Sequence, residues 1–466
     1  MSISLVRSDE VARIRNRIDH PIIDADGHYF QFMPLIRDIM KDIAGPALVE
    51  RFDRQGGRGG HFPARAFWGL PAERTEDRMT AMLPRLMYQR LDQFGIDFAI
   101  AYPTPGMVMT EPDAELRQAA FRAFNIYAAE QFAEYRDRLC PVAIIPTFTP
   151  EEAIAELDYA VGTLGLRCVR LEGTIPRDRR PDGTPVKWVD TLGHGSQYNY
   201  DPVWQKCAEL KVVPSFHGVG YGWGSRTSST NYVYNHIGCF SSAQEAVCRS
   251  LIIGGAPRRF PGLTFAFLEG GTAWAFDLFM GLMGHYAKRN KDAIGAYDPT
   301  RFDVSMGRQL FKEFAGGRMA ALSEAFEAEM RQMKASHEPL GTDDFRESGI
   351  GSMQDLIDIF KNQFFFGCEA DDPLNALAFD RRLLPKGGRM NAFFSSDIGH
   401  WDVPDMRDVL CEAWELVDDK LLSIEEFRAF CFGNAHRMLT TVNPDFFAGT
   451  PLKDIAPAAP VPAAHA

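Results

Sequence analysis

Pro21-Ile22-Ile23-Asp24-Ala25-Asp26-Gly27-His28 is the stretch on which the fold turns. A short apolar run without polar alternation reads as a strand covered on both faces. It ends in two acids, a glycine and a histidine, which marks a strand's carboxyl end rather than its middle. The same design recurs outward along the chain. Apolar runs at Phe98–Tyr102, Leu139–Pro146, Arg167–Leu171, Val212–His217, Leu263–Leu268, Gln363–Cys368 and Ala392–Ser396 are candidate strands. Helical patterns lie between most of them, among them Asp113–Arg136, Pro150–Thr163, Ser242–Ile253 and Ala273–Ala287. Strands alternating with helices predict an α/β protein with a parallel sheet, closing as a (β/α)8 TIM-like barrel. An open doubly wound sheet competes, but no G-x-G-x-x-G follows the first strand.

The length of 466 residues exceeds what a plain barrel needs. The surplus predicts long βα loops on a single barrel domain, residues 1–450. Asp53–Thr80 is Arg/Gly-rich, Pro176–Gln197 is polar and turn-rich, and Gly218–Gly238 is rich in Gly and Tyr. Residues 298–352 read as a helical insertion, with one helix expected over Phe311–Ser336. The Ala/Pro-rich tail, 451–466, is expected to be disordered.

Lys and Arg number 50 against 62 Asp and Glu, a net charge of −12 that argues against nucleic acid as partner. No run reaches the roughly 20 apolar residues of a spanning helix, so no membrane partner is expected. The N-terminus lacks a signal-peptide core. Eight scattered cysteines without a C-x-x-C pair suggest reduced, buried thiols in a cytoplasmic protein. A homodimer is the default expectation for such an enzyme, with 298–352 or the tail as its contact.

Chemistry concentrates at the strand ends. Asp26 and His28, two residues apart, leave one face of a strand and offer an oxygen and an imidazole to a divalent metal. A polar turn is the competing account. His217 ends the fifth candidate strand, as a ligand or as a hydrogen-bonded rim residue. Glu269 ends a wholly apolar strand, where an acid is costly unless paired or metal-bound. Asp397 follows the last strand. In a barrel all strand carboxyl ends face one cavity, so Asp26, His28, His217, Glu269 and Asp397 are expected to meet there.

The ordered motifs DADGH, the strand ending in FHG, FLEGG, SSDIGHWD and FGNAHRML resemble the amidohydrolase superfamily. More narrowly they resemble its branch containing aminocarboxymuconate semialdehyde decarboxylase. The resemblance covers roughly Pro21 to Leu439 and implies a distorted barrel with a catalytic divalent metal. The branch includes decarboxylases, C–C hydrolases, hydratases and thioesterases. By position, the usual first-strand His-x-His is Asp26-x-His28, the fifth-strand histidine is His217 and the eighth-strand aspartate is Asp397. Where the decarboxylases carry a histidine after strand six, this chain has Glu269-Gly270-Gly271. His236 is then the candidate to take over proton handling or to ligate a second ion; a loop histidine bonded to backbone is its plain alternative.

The implied ligands are Asp26, His28, His217, His236, Glu269 and Asp397. This oxygen-rich set suits Fe or Mn, with Zn also open, as one ion or a dinuclear pair. The expected reaction is hydrolysis of an organic acyl compound (C–C bond, thioester or amide) by metal-activated water. Asp397 serves as base, His236 as acid and Glu269 as a further catalytic carboxylate. The alternative is a non-oxidative decarboxylase or hydratase of an aromatic or unsaturated acid. Tyr102, Arg170, Tyr221, Trp223 and His400 are the expected substrate contacts. Arg170 with Glu172 also fits a structural ion pair, and the aromatic loop also fits a packed Ω-loop.

Overall fold

Each apolar run becomes a strand of one parallel sheet. The computed structural model describes residues 5–54, 73–104, 111–220, 222–335, 343–384 and 388–455. The strands β1 (Ile23–Tyr29), β2 (Phe98–Pro103), β3 (Leu139–Ile145) and β4 (Cys168–Leu171) come first. An antiparallel hairpin follows, β5 (Ile175–Arg179) with β6 (Pro185–Asp190). Then come β7 (Pro214–Phe216), β8 (Phe265–Phe267), β9 (Phe364–Glu369) and β10 (Ala392–Ser395). The sheet order is β1-β2-β3-β4-β7-β8-β9-β10, and each neighbouring pair is parallel. Just past β10 the ring is drawn together: Asp397 N–H donates to the Asp26 carbonyl (3.0 Å), and His28 N–H to the Ile398 carbonyl (2.8 Å). The fold is a (β/α)8 barrel.

The core shows why the runs read as uninterrupted apolar sequence. Inward residues Ile23, Ala25, Phe98, Ile100, Cys140, Val142, Cys168, Val213, Ala266, Phe365 and Phe393 fill the barrel. Phe432, Ala435, Met438, Leu439, Phe446 and Phe447 join the same cluster from the carboxyl-terminal segment. Helices cover the outward faces, which are equally buried. The helix Ala114–Gln131 starts with Asp113, whose side chain accepts from Leu116 N–H, a cap worth about 1 kcal/mol. All eight cysteines are free, and all but Cys411 are buried.

Two expectations need correction. Part of the polar stretch Pro176–Gln197 forms the β5–β6 hairpin, whose strands are largely exposed and so carry little apolar signal. The single helix expected over Phe311–Ser336 is three pieces, Val304–Phe314, Gly317–Ala320 and Ser323–Ala335. The break falls at Gly316-Gly317, where Gly317 takes φ +54 and continuous α-helix is lost. The tail beyond residue 455 and part of Asp53–Thr80 lie outside the described residues.

The chain divides into two compact units, Met1–Leu278 with Ile357–Ala466, and Phe279–Leu356. The barrel strands all belong to the first. The second is helical; within it Tyr286 meets Phe345 edge-on at 5.1 Å, and Phe311 stacks on Phe326 at 4.6 Å. No described helix is long and apolar enough to cross a membrane.

Candidate metal centre

The site begins with an irregularity in β1. Asp24 pairs with Ala99 and Gly27 with Ala101, so β1 spends one extra residue between them. A bulge of this kind changes which side chains face inward. Ile23 and Ala25 point into the apolar core below it. Above it, Asp26 and His28 turn to the barrel mouth. Asp24 faces the seam instead: its Oδ2 accepts from Ser396 Oγ (2.6 Å), and its Oδ1 from Ser396 N–H (2.9 Å). It thereby ties β1 to the turn that carries Asp397.

Two other members are held in unusual backbone. Glu269 has φ +54 and Asp397 φ +51, the left-handed region that non-glycine residues enter at a cost of roughly 1–2 kcal/mol. Each stands two residues past a strand end, and its carboxylate joins the convergent set. Strain at such positions is characteristic of functional sites.

The result is a buried convergence. Ligand atoms of Asp26, His28, His217 and Glu269 lie within 4.8 Å of one another, as do those of His28, Glu269, Asp397 and His400. His217 Nε2 is 2.9 Å from Glu269 Oε2, 3.5 Å from Asp26 Oδ1 and 3.3 Å from His28 Nε2. His28 Nε2 is 3.1 Å from Asp397 Oδ1, and His400 Nδ1 is 2.7 Å from the same oxygen. Yet Asp26 Oδ1, Glu269 Oε2 and both Asp397 oxygens take no aligned hydrogen bond. Orphaned buried oxygens facing two imidazole Nε2 atoms are costly unless a cation completes them. The donor set therefore fits a divalent ion.

The electrostatics agree. Burial, against the pull of His217, pushes Glu269 up to about 7. Burial, then the neighbouring Asp402 and Glu269 carboxylates, holds Asp397 well above the usual carboxylate range. His28 is driven well below its ordinary value by burial and by His400 and His217. For His217 burial works downward, but Asp26 and Glu269 override it and carry the imidazole up to about 9.

The other expected residues divide. His400 joins the set, its ring stacked 3.7 Å from that of His28 and its Nε2 3.3 Å from Thr104 Oγ1. Tyr102 donates to Ser215 Oγ (3.2 Å), its ring 6.1 Å from His28 and 5.8 Å from His217. Arg170 is buried and donates through Nη2 to the His217 carbonyl (2.7 Å). Glu172 is held by Thr174 Oγ1 (2.8 Å). His236 is not among the converging ligand atoms. It sits on the short helix Tyr232–His236, and Phe240 makes edge contacts with both His236 (5.6 Å) and His217 (5.4 Å). Trp223 forms part of a turn with Gly220, and Tyr221 lies outside the described residues. Asp24, Ser396, Thr104 and Phe240 were not singled out from sequence. Asp24 alone carried a signal, as an acid inside an apolar strand.

The amidohydrolase family model, Amidohydro_2, matches residues 23–319. An amidohydrolase from Mycobacterium avium subsp. paratuberculosis K-10 is 17% identical, with 91% of this chain and 100% of that one covered at a TM-score of 0.54. Two decarboxylases align less closely. A 2,6-dihydroxybenzoate decarboxylase bound to 2,6-dihydroxybenzoate is 16% identical, covering 90% and 99%, with a TM-score of 0.49. The manganese-bound 5-carboxyvanillate decarboxylase of Novosphingobium aromaticivorans DSM 12444 is 14% identical, covering 94% and 99%, also at 0.49. No curated protein matches the chain.

Proposed function

The chain belongs to the amidohydrolase family, and from that premise we propose that it is a metal-dependent decarboxylase of a planar aromatic or unsaturated carboxylic acid. The observation that carries the reading is the wall of rings around a buried ligand set. Tyr102 lines it from β2, and Phe240 stands on His217. From Phe240 the rings continue through His236 to Trp401, at 5.6 and 5.4 Å. Such walls favour a flat, apolar substrate body oriented by a few polar groups.

Asp26, His28, His217, Glu269 and Asp397 would hold a divalent ion, which would supply positive charge for binding a carboxylate and offsetting negative charge on the substrate. The chain's own groups do the rest. Arg170, beneath the ligands, adds a buried cation facing Glu172, Asp26 and Glu269. The C–C bond to the carboxylate breaks and its electron pair stays on the ring carbon. His400, its Nδ1 2.7 Å from Asp397 Oδ1, is the group placed to deliver a proton to that carbon while CO2 departs.

Hydrolysis of an acyl compound is a second reading, favoured by Glu269. That residue puts a carboxylate, able to act as a general base, 2.9 Å from His217 Nε2. The test is a substrate panel with manganese-loaded protein in D2O and, separately, in H2(18)O. CO2 release with deuterium on the vacated carbon supports decarboxylation. Acid release carrying 18O replaces it with hydrolysis, and no CO2 from any aromatic or unsaturated acid overturns it.

A further inference from the structure

At the amino ends of β9 and β10, away from the metal centre, the charge pattern is reversed. Asn391 immediately precedes β10, whereas Asp397 lies past its other end. Arg437, on the helix Asn434–Val442, is anchored at that amino end. Its Nη2 donates to the side-chain oxygens of Asn391 and of Asn434 (3.2 Å for the latter), and its guanidinium lies 5.1 Å over the Phe365 ring of β9. Asn391 is itself fixed, its Nδ2 donating to the carbonyls of Phe360, Lys361 and Phe364. Asn434 donates to the Ala392 carbonyl (2.7 Å). Neutral amides and a ring thus hold the cation in place.

What it lacks is an acid. Arg389 stands two residues before Asn391, and among the described residues the charged neighbours acting on this pair are arginines. Burial, then Arg389, draws Arg437 down to about 9; burial, then Arg381, lowers Arg389. Arg389 Nε is buried with no hydrogen-bond partner. Elsewhere the chain covers its buried guanidiniums: Asp77 meets Arg90 and Glu152 meets Arg117, each at 2.6 Å. With 62 acids against 50 bases, a basic pair left without one is an exception. Like charges withdrawn from water together are costly unless an anion completes them.

We propose that Arg389 and Arg437 form a binding site for a phosphate group, free or carried on a small metabolite, on the barrel face opposite the metal centre. Two guanidiniums call for close to two negative charges, which a phosphate carries at neutral pH and a single carboxylate does not. Their planar forks also match phosphate oxygens in pairs. Arg437 is held in position before the ligand arrives, which lowers the ordering cost of binding. Both arginines are only partly buried, so the ligand reaches them from solvent without opening the core.

The test is isothermal titration of the full-length, metal-loaded chain with inorganic phosphate, methyl phosphate and acetate at one ionic strength. Wild type is compared with Arg389→Gln and Arg389→Lys, all with equal metal content. Saturable phosphate binding is expected in the wild type, weaker by roughly 10–100-fold in Arg389→Gln and largely kept in Arg389→Lys. Tighter binding of methyl phosphate assigns an organic phosphate, and tighter binding of the inorganic ion assigns the free one. A second measurement needs no variant: phosphate should slow the modification of Arg389 and Arg437 by phenylglyoxal, mapped on wild-type peptides by mass spectrometry. Absence of saturable phosphate binding overturns the assignment, as does acetate binding as tightly as phosphate. Equal affinity in Arg389→Gln, which would place the anion at the metal centre or elsewhere, or arginines left unprotected from phenylglyoxal, does so too.

Discussion

At the scale of single residues, the metal centre is assembled against local preference. Glu269 and Asp397 carry backbone conformations that favour glycine, and both are acids buried at the end of apolar strands. Each would be more comfortable as something else. Glu269→Gly is therefore expected to stabilise the metal-free protein by about 1 kcal/mol or more, by relieving the left-handed strain and removing a buried carboxyl. The same change should abolish tight metal binding. Urea unfolding of the metal-free forms and metal titration of both proteins check the two halves. A metal-free variant less stable than the wild type would remove strain from the account. The convergence of these acids and histidines was legible in sequence because ionisable groups on apolar strand ends have few structural excuses. His236 looked equivalent there, but its ring lies outside the convergent set, against Tyr232, Phe240 and Trp401, and a one-dimensional pattern does not report that placement.

At the scale of elements, the seam between β1 and β10 draws the barrel together beside the convergent set. Both strands deliver members of the convergent set, and they are joined by two backbone hydrogen bonds just past β10 together with the Asp24–Ser396 contacts. Asp24 accepts both the Ser396 hydroxyl and its N–H, and burial pushes its carboxyl up to about 7. Added bulk at Gly27 would meet Asp24 Oδ2 at 2.6 Å, so the bulge and the latch depend on each other. Asp24→Ala takes the acceptor from three buried donors, the Ser396 hydroxyl and N–H and the Asp26 N–H, an expected cost of about 1–3 kcal/mol. Because the latch aims Asp26 and Asp397, metal affinity should fall by roughly 10–100-fold. Isothermal titration with Mn²⁺ measures it, and an unchanged Kd would make Asp24 purely structural. The eight strands were readable because burial on both faces demands unbroken apolar runs. The β5–β6 hairpin escaped for the opposite reason: its strands are mostly exposed, and polar residues in a strand look like a loop.

At the scale of the whole molecule, the charge of −12 and the buried acids pose one electrostatic question: what neutralises the centre of the barrel? Without a cation, protons must. Glu269 then sits at about 7, above its ordinary 4.5, and His217 at about 9, above its ordinary 6.5. Both raised values mean that the folded state holds protons which the unfolded chain would release. For Glu269 that stabilisation is complete below pH 4.5 and lost as pH rises through about 7; for His217 it is complete below 6.5 and lost through about 9. Metal-free protein is thus expected to lose stability steadily from mildly acid to alkaline pH, the Glu269 share alone being on the order of 3 kcal/mol. A bound divalent ion reverses the trend, since it favours the deprotonated ligands and binds more tightly as they lose protons. The difference in Tm between manganese-loaded and chelator-treated protein should therefore widen as pH rises. Thermal unfolding of both forms across that range checks it. A gap that stays constant or narrows would mean that the convergent acids are neutralised by something other than a metal, and the centre would have to be read as a proton-sharing cluster.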